Sequence, residues 1–369
     1  MKIGILTSSR SDYGIYLPLL KKLKSDPFFQ LEIIAFGTHL SSIHGYTLTD
    51  IKKEGFKTIH RISSLEKDDS QYGISKSYGN TAVKFSEFWK NHNFNLVFCL
   101  GDRFEMSAAV QSSIPYGVPL AHIHGGETTL GAIDNVYRHQ ITLASKLHFT
   151  ATDDYKRKVQ RLTENMKYVY SVGALSLEGI KDYKPINREE FLKAFQIKNE
   201  PYALITFHPE TVAIDLNKDY AQQMRMALEI LSARINLVIT MPNADTLGSL
   251  YRTQIHLLKD KCSDNVVLVE NFGKGNYFSA MHYSKLLIGN TSSGIIEAAS
   301  FGKHVVNVGS RQKGRAQSKN TFNVDFKATN ITNMVDTVIK LPIFTGENIY
   351  FKEKTVDTII ETIKMYDKL

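Results

Sequence analysis

The sequence predicts an α/β protein made of two doubly wound parallel sheets. At 369 residues the chain exceeds what one hydrophobic core ordinarily organises, so two domains of common size are expected. Short runs rich in Val, Ile, Leu and Phe alternate with helix-patterned stretches, the signature of βαβ units. The alternation stops in a polar stretch around Pro185 and resumes behind Asn187-Arg188-Glu189-Glu190, which reads as a helix start. That places the domain junction, with domains expected over 1–178 and 179–350.

In the first domain the strand candidates are KIGILT (2–7), LEIIAFG (31–37), NLVFCLG (95–101), VPLAHIHG (118–125), KLHFTA (146–151) and YVYSVG (168–173). Helices are expected between them. One follows Gly101-Asp102-Arg103 over 104–113, and another spans 134–145, where Ile141 and Leu143 sit among polar residues. The second domain supplies YALITFHP (202–209), NLVITMPN (236–243), NVVLVENF (265–272), KLLIGN (285–290) and HVVNVG (304–309), each trailed by a helix candidate.

Composition narrows the function. Hydrophobic content of 43% and charged content of 22% describe an ordinary globular protein. The net charge of +8 comes from lysines spread along helix faces without basic blocks or interleaved aromatics, which points to a solvated surface and an anionic small ligand, and away from nucleic acid. Cys99 in an apolar run and Cys262 on a polar helix end supply neither a disulfide framework nor a metal set, which suits a reducing cytoplasm. The N-terminus enters a strand directly, and no apolar run reaches the length of a membrane span, so the expectation is a cytoplasmic protein that is not membrane-embedded.

Ligands of open parallel sheets bind at the carboxyl ends of the strands, and here those ends carry chemistry-capable groups. They are Ser9 to Asp12, His39, Gly101 to Arg103, His122 to Glu127, His208 to Glu210, Pro242 to Asp245, Asn290 to Ser292, and Arg311. The most informative is Gly289-Asn290-Thr291-Ser292-Ser293-Gly294, where a strand turns into a helix. Small residues there leave free backbone N–H groups and a positive dipole end facing one point, which suits a phosphate. Glu297, one turn on, is a good acceptor for two ribose hydroxyls. Together they suggest a nucleoside diphosphate.

In order along the chain, SR-S-D-Y, GTH, LGDR, HIHGGE, GAIDNVYRH, FHPET, PNAD, GNTSSGIIE and VGSRQKGR resemble the hydrolysing UDP-N-acetylglucosamine 2-epimerase family, over nearly the whole length from Arg10 to Arg315. The resemblance implies a GT-B fold, two Rossmann-like domains facing a central cleft, with sugar chemistry in the first and UDP held by the second. It also implies that residues 351–369, KTVDTIIETIKMYDKL among them, form a helix returning to the first domain, and that the protein is a homodimer. The implied reaction converts UDP-N-acetylglucosamine and water to N-acetylmannosamine and UDP, the first step of sialic acid biosynthesis. A base removes the C2 proton as UDP leaves C1, and water then adds to the 2-acetamidoglucal. No metal or redox cofactor is needed.

Carried onto this chain, the sugar end falls to the carboxylates Asp102, Glu127 and Asp134. Arg103 suits the departing diphosphate, Arg10 and Arg311 are further cationic donors, and His208 bridges phosphate and sugar. His39, at a strand end, joins the substrate-binding set. Thr291 and Ser292 fall on the phosphates, Glu297 on the ribose, Phe272 and Tyr277 beside uracil, and Asn243 on nucleotide or sugar; core packing is the competing reading of the aromatic pair. One position departs from the family. Many relatives have Glu where this chain has His124, so either Glu127 takes that role, with Gly125-Gly126 letting it swing inward, or His124 does, since an imidazole with its ordinary pKa near 6.5 can act as base or acid. The sequence leans to Glu127. Substrate choice stays open toward a UDP-2,4-diacetamido-trideoxyhexose of the legionaminic route, with a GT-B glycosyltransferase or a non-catalytic nucleotide-sugar binder as more distant readings.

Overall fold

The computed structural model describes residues 1–242 and 247–366; Asn243 lies outside them. The chain forms two compact units. The first gathers Met1–Glu127, Asp134–Glu178 and the chain from Tyr350 onward, and the second Thr128–Ile133 and Gly179–Ile349.

The first unit is built on a seven-stranded sheet in the order β3-β2-β1-β4-β5-β6-β7. The strands are β1 (Lys2–Thr7), β2 (Gln30–Phe36), β3 (Thr58–Ile62), β4 (Leu96–Leu100), β5 (Leu120–Ile123), β6 (Leu147–Thr150) and β7 (Val169–Ser171). Every pairing is parallel, with Ile5 opposite Ile33 on one side and Phe98 on the other. A parallel sheet is buried on both faces, which is why its inner strands read as unbroken apolar runs. Ile3, Ile5, Ile33 and Phe98 pack under the helix Arg10–Ser25, and Val356, Ile359, Ile360 and Ile363 of the helix Thr355–Tyr366 join that same core. Burying each of those four contributes about 1.5–3 kcal/mol before entropy. The opposite face packs Leu6, Ile34 and Val97 against Phe85 and Trp89 of the helix Gln71–Asn91.

The second unit repeats the plan with six parallel strands in the order β10-β9-β8-β11-β12-β13. These are β8 (Tyr202–Thr206), β9 (Asn236–Thr240), β10 (Val266–Val269), β11 (Leu286–Gly289), β12 (Val305–Val308) and β13 (Thr321–Val324). Two strands are absent from the sequence reading, β3 (TIHRI) and β13 (TFNV). Both are sheet edges, half-buried and mixed in polarity, so neither presents an apolar run.

A boundary at 178 assigns residues 128–133 to the first domain, whereas they lie with the second. The Leu130 N–H donates to the Lys313 carbonyl at 2.9 Å and the Ile133 N–H to Thr211 Oγ1 at 2.9 Å. Gly131 lies so close to Ser310 that a Cβ would stand 2.4 Å from its carbonyl carbon, leaving room for glycine alone.

Candidate functional site

In each sheet the strand order reverses beside the first strand of the set, between β1 and β4 and between β8 and β11, and a doubly wound fold opens its binding crevice at such a point. Behind β1 the chain enters the helix Arg10–Ser25 through a capping box. Ser9 caps the helix, and the Asp12 carboxylate accepts from the Ser8 and Ser9 N–H groups at 2.9–3.2 Å and from Thr7 Oγ1 at 2.5 Å. Burial pushes the Asp12 pKa up, but His39, Thr7 and the Ser8 amide outweigh it and hold the carboxyl below its ordinary value. His39 is fully buried, with Nε2 2.9 Å from Thr7 Oγ1 and Nδ1 2.7 Å from Thr47 Oγ1. Both its nitrogens are thus spent on the fold, locking the β1 and β2 exits together. Arg10 is the first residue of the helix and half-buried.

Behind β4, Gly101 takes φ +79° and turns the chain out to Asp102. The Asp102 carboxylate is gripped by Arg138, a guanidinium only 1% exposed, whose other arm donates to the Glu127 carbonyl at 3.1 Å. One buried arginine therefore ties the β4 exit to the β5 exit, and it sits on the helix Asp134–Ala144 that Asp134 opens. His122 on β5 supports the same turn. Burial lowers its pKa to about 3, so the neutral ring donates from Nε2 to the Gly101 carbonyl at 2.9 Å. His124 and Glu127 form a second buried pair, Nδ1 to Oε1 at 2.7 Å. Arg103 turns to Glu105, a fully buried carboxylate that takes Nε and a terminal N–H at 3.1 and 3.0 Å. Burial drives the Glu105 pKa up against that cation.

In the second unit β11 ends at Gly289 with φ +144°, where a Cβ would fall 1.9 Å from the Thr206 carbonyl oxygen. Only glycine allows this approach. Asn290, wholly buried, grips the His208 peptide at both ends, accepting from its N–H at 2.7 Å and donating to its carbonyl at 2.8 Å. Thr291 occupies the N-cap position of the short helix Ser292–Ile296 without a side-chain capping bond, and Ser292 is exposed at its first turn. After Ile296 the helix gives way to a 3-10 turn, Ala298–Phe301, with Glu297 buried at the joint. Tyr277 meets Ser293 Oγ at 2.5 Å, and burial pushes its hydroxyl pKa up to about 12. Phe272 packs in an aromatic cluster 4.6 Å from Phe195 and 5.9 Å from Phe191, in the unit's hydrophobic core. Glu210, 1% exposed, holds the turn carrying Arg311. It accepts from Ser310 Oγ at 2.5 Å and from the Arg311 N–H at 3.2 Å, while the Arg311 side chain donates to the Pro209 carbonyl at 2.6 Å.

The profile of the UDP-N-acetylglucosamine 2-epimerase family matches residues 21–364. The chain belongs to that family. Within it, a Campylobacter jejuni protein named GDP/UDP-N,N'-diacetylbacillosamine 2-epimerase (hydrolyzing) is 34% identical over 86% of this chain and 83% of its own length. A Legionella pneumophila protein named UDP-N,N'-diacetylbacillosamine 2-epimerase (hydrolyzing) is 32% identical over 98% and 95%. The fold matches the crystal structure of UDP-GlcNAc 2-epimerase from Neisseria meningitidis bound to UDP-GlcNAc, with a TM-score of 0.80 at 18% identity across 99% of this chain and 100% of that one. The architecture of this epimerase-family chain is accordingly two parallel-sheet α/β units of GT-B type. No described helix is long and apolar enough to cross a membrane.

Against the residues expected from sequence, the structure of this epimerase-family member gathers Asp102, His124 and Glu127 through Arg138 in the first unit. In the second it brings Thr291, Ser292, Tyr277 and Glu297 around one strand exit. His39 and Phe272 are embedded in the fold. Two residues were missed. Glu105 hides in a mostly apolar helix and Arg138 is a charge that burial conceals, whereas Glu210 was among the strand-exit groups and only its partner gave no sign. The RH pair behind GAID was the one available signal for Arg138.

Proposed function

We propose that this protein is a hydrolysing 2-epimerase of a UDP-linked 2-acetamido-2-deoxyhexose. What carries the reading is the tie of Asp102, Arg138 and the Glu127 backbone, which assembles the acids of two strand exits into one charged site. The first unit carries the sugar chemistry, and the second unit's Gly289 to Ser292 turn, with Glu297 on the ribose and Arg311 as cation, carries UDP. Inversion at C2 needs a base on one face of the ring and an acid on the other. Asp102, Asp134 and the His124–Glu127 pair supply these groups. As the C2–H bond breaks, its electron pair becomes the C1–C2 double bond and the C1–O pair leaves with UDP. A proton then returns to C2 on the opposite face and water oxygen binds C1, giving the free epimerised sugar.

The Campylobacter jejuni and Legionella pneumophila relatives, at 34% and 32% identity, are both named for N,N'-diacetylbacillosamine, which favours the UDP-2,4-diacetamido-trideoxyhexose as substrate. UDP-N-acetylglucosamine, yielding N-acetylmannosamine for sialic acid synthesis, is the second reading, supported by the motif resemblance. Proton NMR in deuterated water with each sugar nucleotide separates them. The preferred sugar should release UDP and a C2-deuterated 2-epimer, with a kcat/KM at least tenfold above the other. A UDP-linked epimer as product, or binding of both without turnover, overturns the hydrolytic reading.

A further inference from the structure

Resting on that proposed reaction, we infer that His124 is the group that takes the C2 proton, through Nε2, and that Glu127 is a positioning residue that holds its ring. The turn joining them is built for contact. The His124 N–H is fixed to the Phe149 carbonyl on β6 at 3.0 Å, and its φ of +66° is unusual for any residue but glycine. Gly125 would press a Cβ to 3.0 Å from His122 Nδ1, and Gly126, at φ +81°, would press one to 2.6 Å from the Tyr155 carbonyl oxygen. The two glycines thus fold the chain back, and Glu127 arrives on the His124 ring. A carboxylate offers lone pairs only, so the 2.7 Å contact fixes the proton on Nδ1 and leaves the Nε2 lone pair bare. His124 is 6% exposed, and its Nε2 is buried without any hydrogen-bond partner.

A buried ring nitrogen without a partner is costly, and a carboxylate that fixes the ring's tautomer and orientation through the other nitrogen is the arrangement of a general base and its orienting acid. Glu127 is the engaged member of the pair and His124 Nε2 the disengaged one. In the elimination step Nε2 takes the C2 proton while the C1–O pair departs with UDP. In the hydration step a carboxyl of the Asp102 and Asp134 set delivers a proton to the other face of C2 and recovers one from the water that adds to C1. The imidazolium proton leaves with UDP.

The test has two independent arms. Nitrogen-15 NMR of histidine-labelled protein at pH 8, with the His124 signals assigned by their loss in His124→Gln, should show Nδ1 protonated and Nε2 bare, shifting to a tautomer mixture in Glu127→Ala. A protonated Nε2 in the parent overturns the inference without reference to any substrate. In the kinetic arm His124→Gln should lose at least about 100-fold in kcat with UDP affinity and KM within about threefold. His124→Glu should recover part of that loss. Glu127→Ala should cost at least about tenfold in kcat in the parent but under about threefold in His124→Glu, which has no ring left to orient. An equal cost in both backgrounds makes Glu127 act by itself and sinks the inference while leaving the proposed reaction standing. A parent enzyme that turns over neither sugar removes the reaction, yet leaves the tautomer result readable.

Discussion

Replacing Arg138 with Met should unfold the first unit well before it abolishes the second. The guanidinium is 1% exposed and holds the Asp102 carboxylate, which is 26% exposed. Breaking a fully buried pair by removing one partner costs about 3–5 kcal/mol, and the part of Asp102 that water reaches brings this to about 2–3 kcal/mol. The lost hydrogen bond to the Glu127 carbonyl adds about 1 kcal/mol. The expected loss is about 3–4 kcal/mol, a large share of the stability of an ordinary domain. With a urea slope near 2 kcal/mol per molar, the midpoint falls by about 1.5–2 M. The chain's single tryptophan, Trp89, is buried in the first unit with its indole N–H on the Ala109 carbonyl, so its fluorescence reports that unit alone. Adding Asp102→Asn to Arg138→Met removes the uncompensated carboxylate and should restore a good part of the loss. A fall below about 0.5 M, or strict additivity of the two changes, would refute the reasoning.

Acid should weaken the same unit. Burial holds His122 near pKa 3, and His148 and His139 near 4, against about 6.5 unfolded, so below pH 6.5 the unfolded chain takes up protons that the folded one refuses. Stability is therefore full above pH 6.5 and falls as pH drops toward 4, by up to about 1.4 kcal/mol per unit for each of the more deeply buried His122 and His148; Glu105, raised by burial, offsets part of it at the acid end. A Trp89 urea midpoint at pH 5.5 equal to or above that at pH 7.5 contradicts this. In the second unit Gly289→Ala should abolish UDP binding or yield insoluble protein, since its Cβ meets the Thr206 carbonyl, whereas Gly275→Ala, with open space around it, should bind UDP as the parent does. Calorimetric titration with UDP decides, and tolerance at 289 would mean the strand exit relaxes easily. Glu210→Ala frees the Ser310-Arg311 turn and should weaken UDP about tenfold, as should Arg311→Ala; unchanged affinity in both would take that turn out of the nucleotide site.

The fold was readable because inner parallel strands such as NLVFCLG and YALITFHP are apolar on both faces, and a sequence records that directly. The edges β3 and β13 escaped because their residues are half-buried and mixed in polarity, so neither leaves an apolar run. Site motifs were legible as polar clusters at strand exits. What stayed hidden was who binds whom: nothing in LGDRFE tells that Arg103 turns to Glu105, nor in HPET that Glu210 captures Ser310. The glycine pair after His124 shows the same limit. Its presence announces an unusual backbone, but freedom to swing Glu127 toward a ligand and a turn that lays Glu127 on His124 look identical in one dimension.

The path of the chain through the two units has a consequence for synthesis. A ribosome completes residues 1–127, leaves for six residues of the second unit, returns for 134–178, then makes 179–349 before coming back at Tyr350. The core under β1 lacks Val356, Ile359, Ile360 and Ile363 until then. The half begun first is finished last, so during translation its apolar floor waits uncovered while the second unit, which needs only 128–133 from upstream, is free to fold. Shortening the chain within the helix Thr355–Tyr366 should thus harm the beginning of the protein more than its middle.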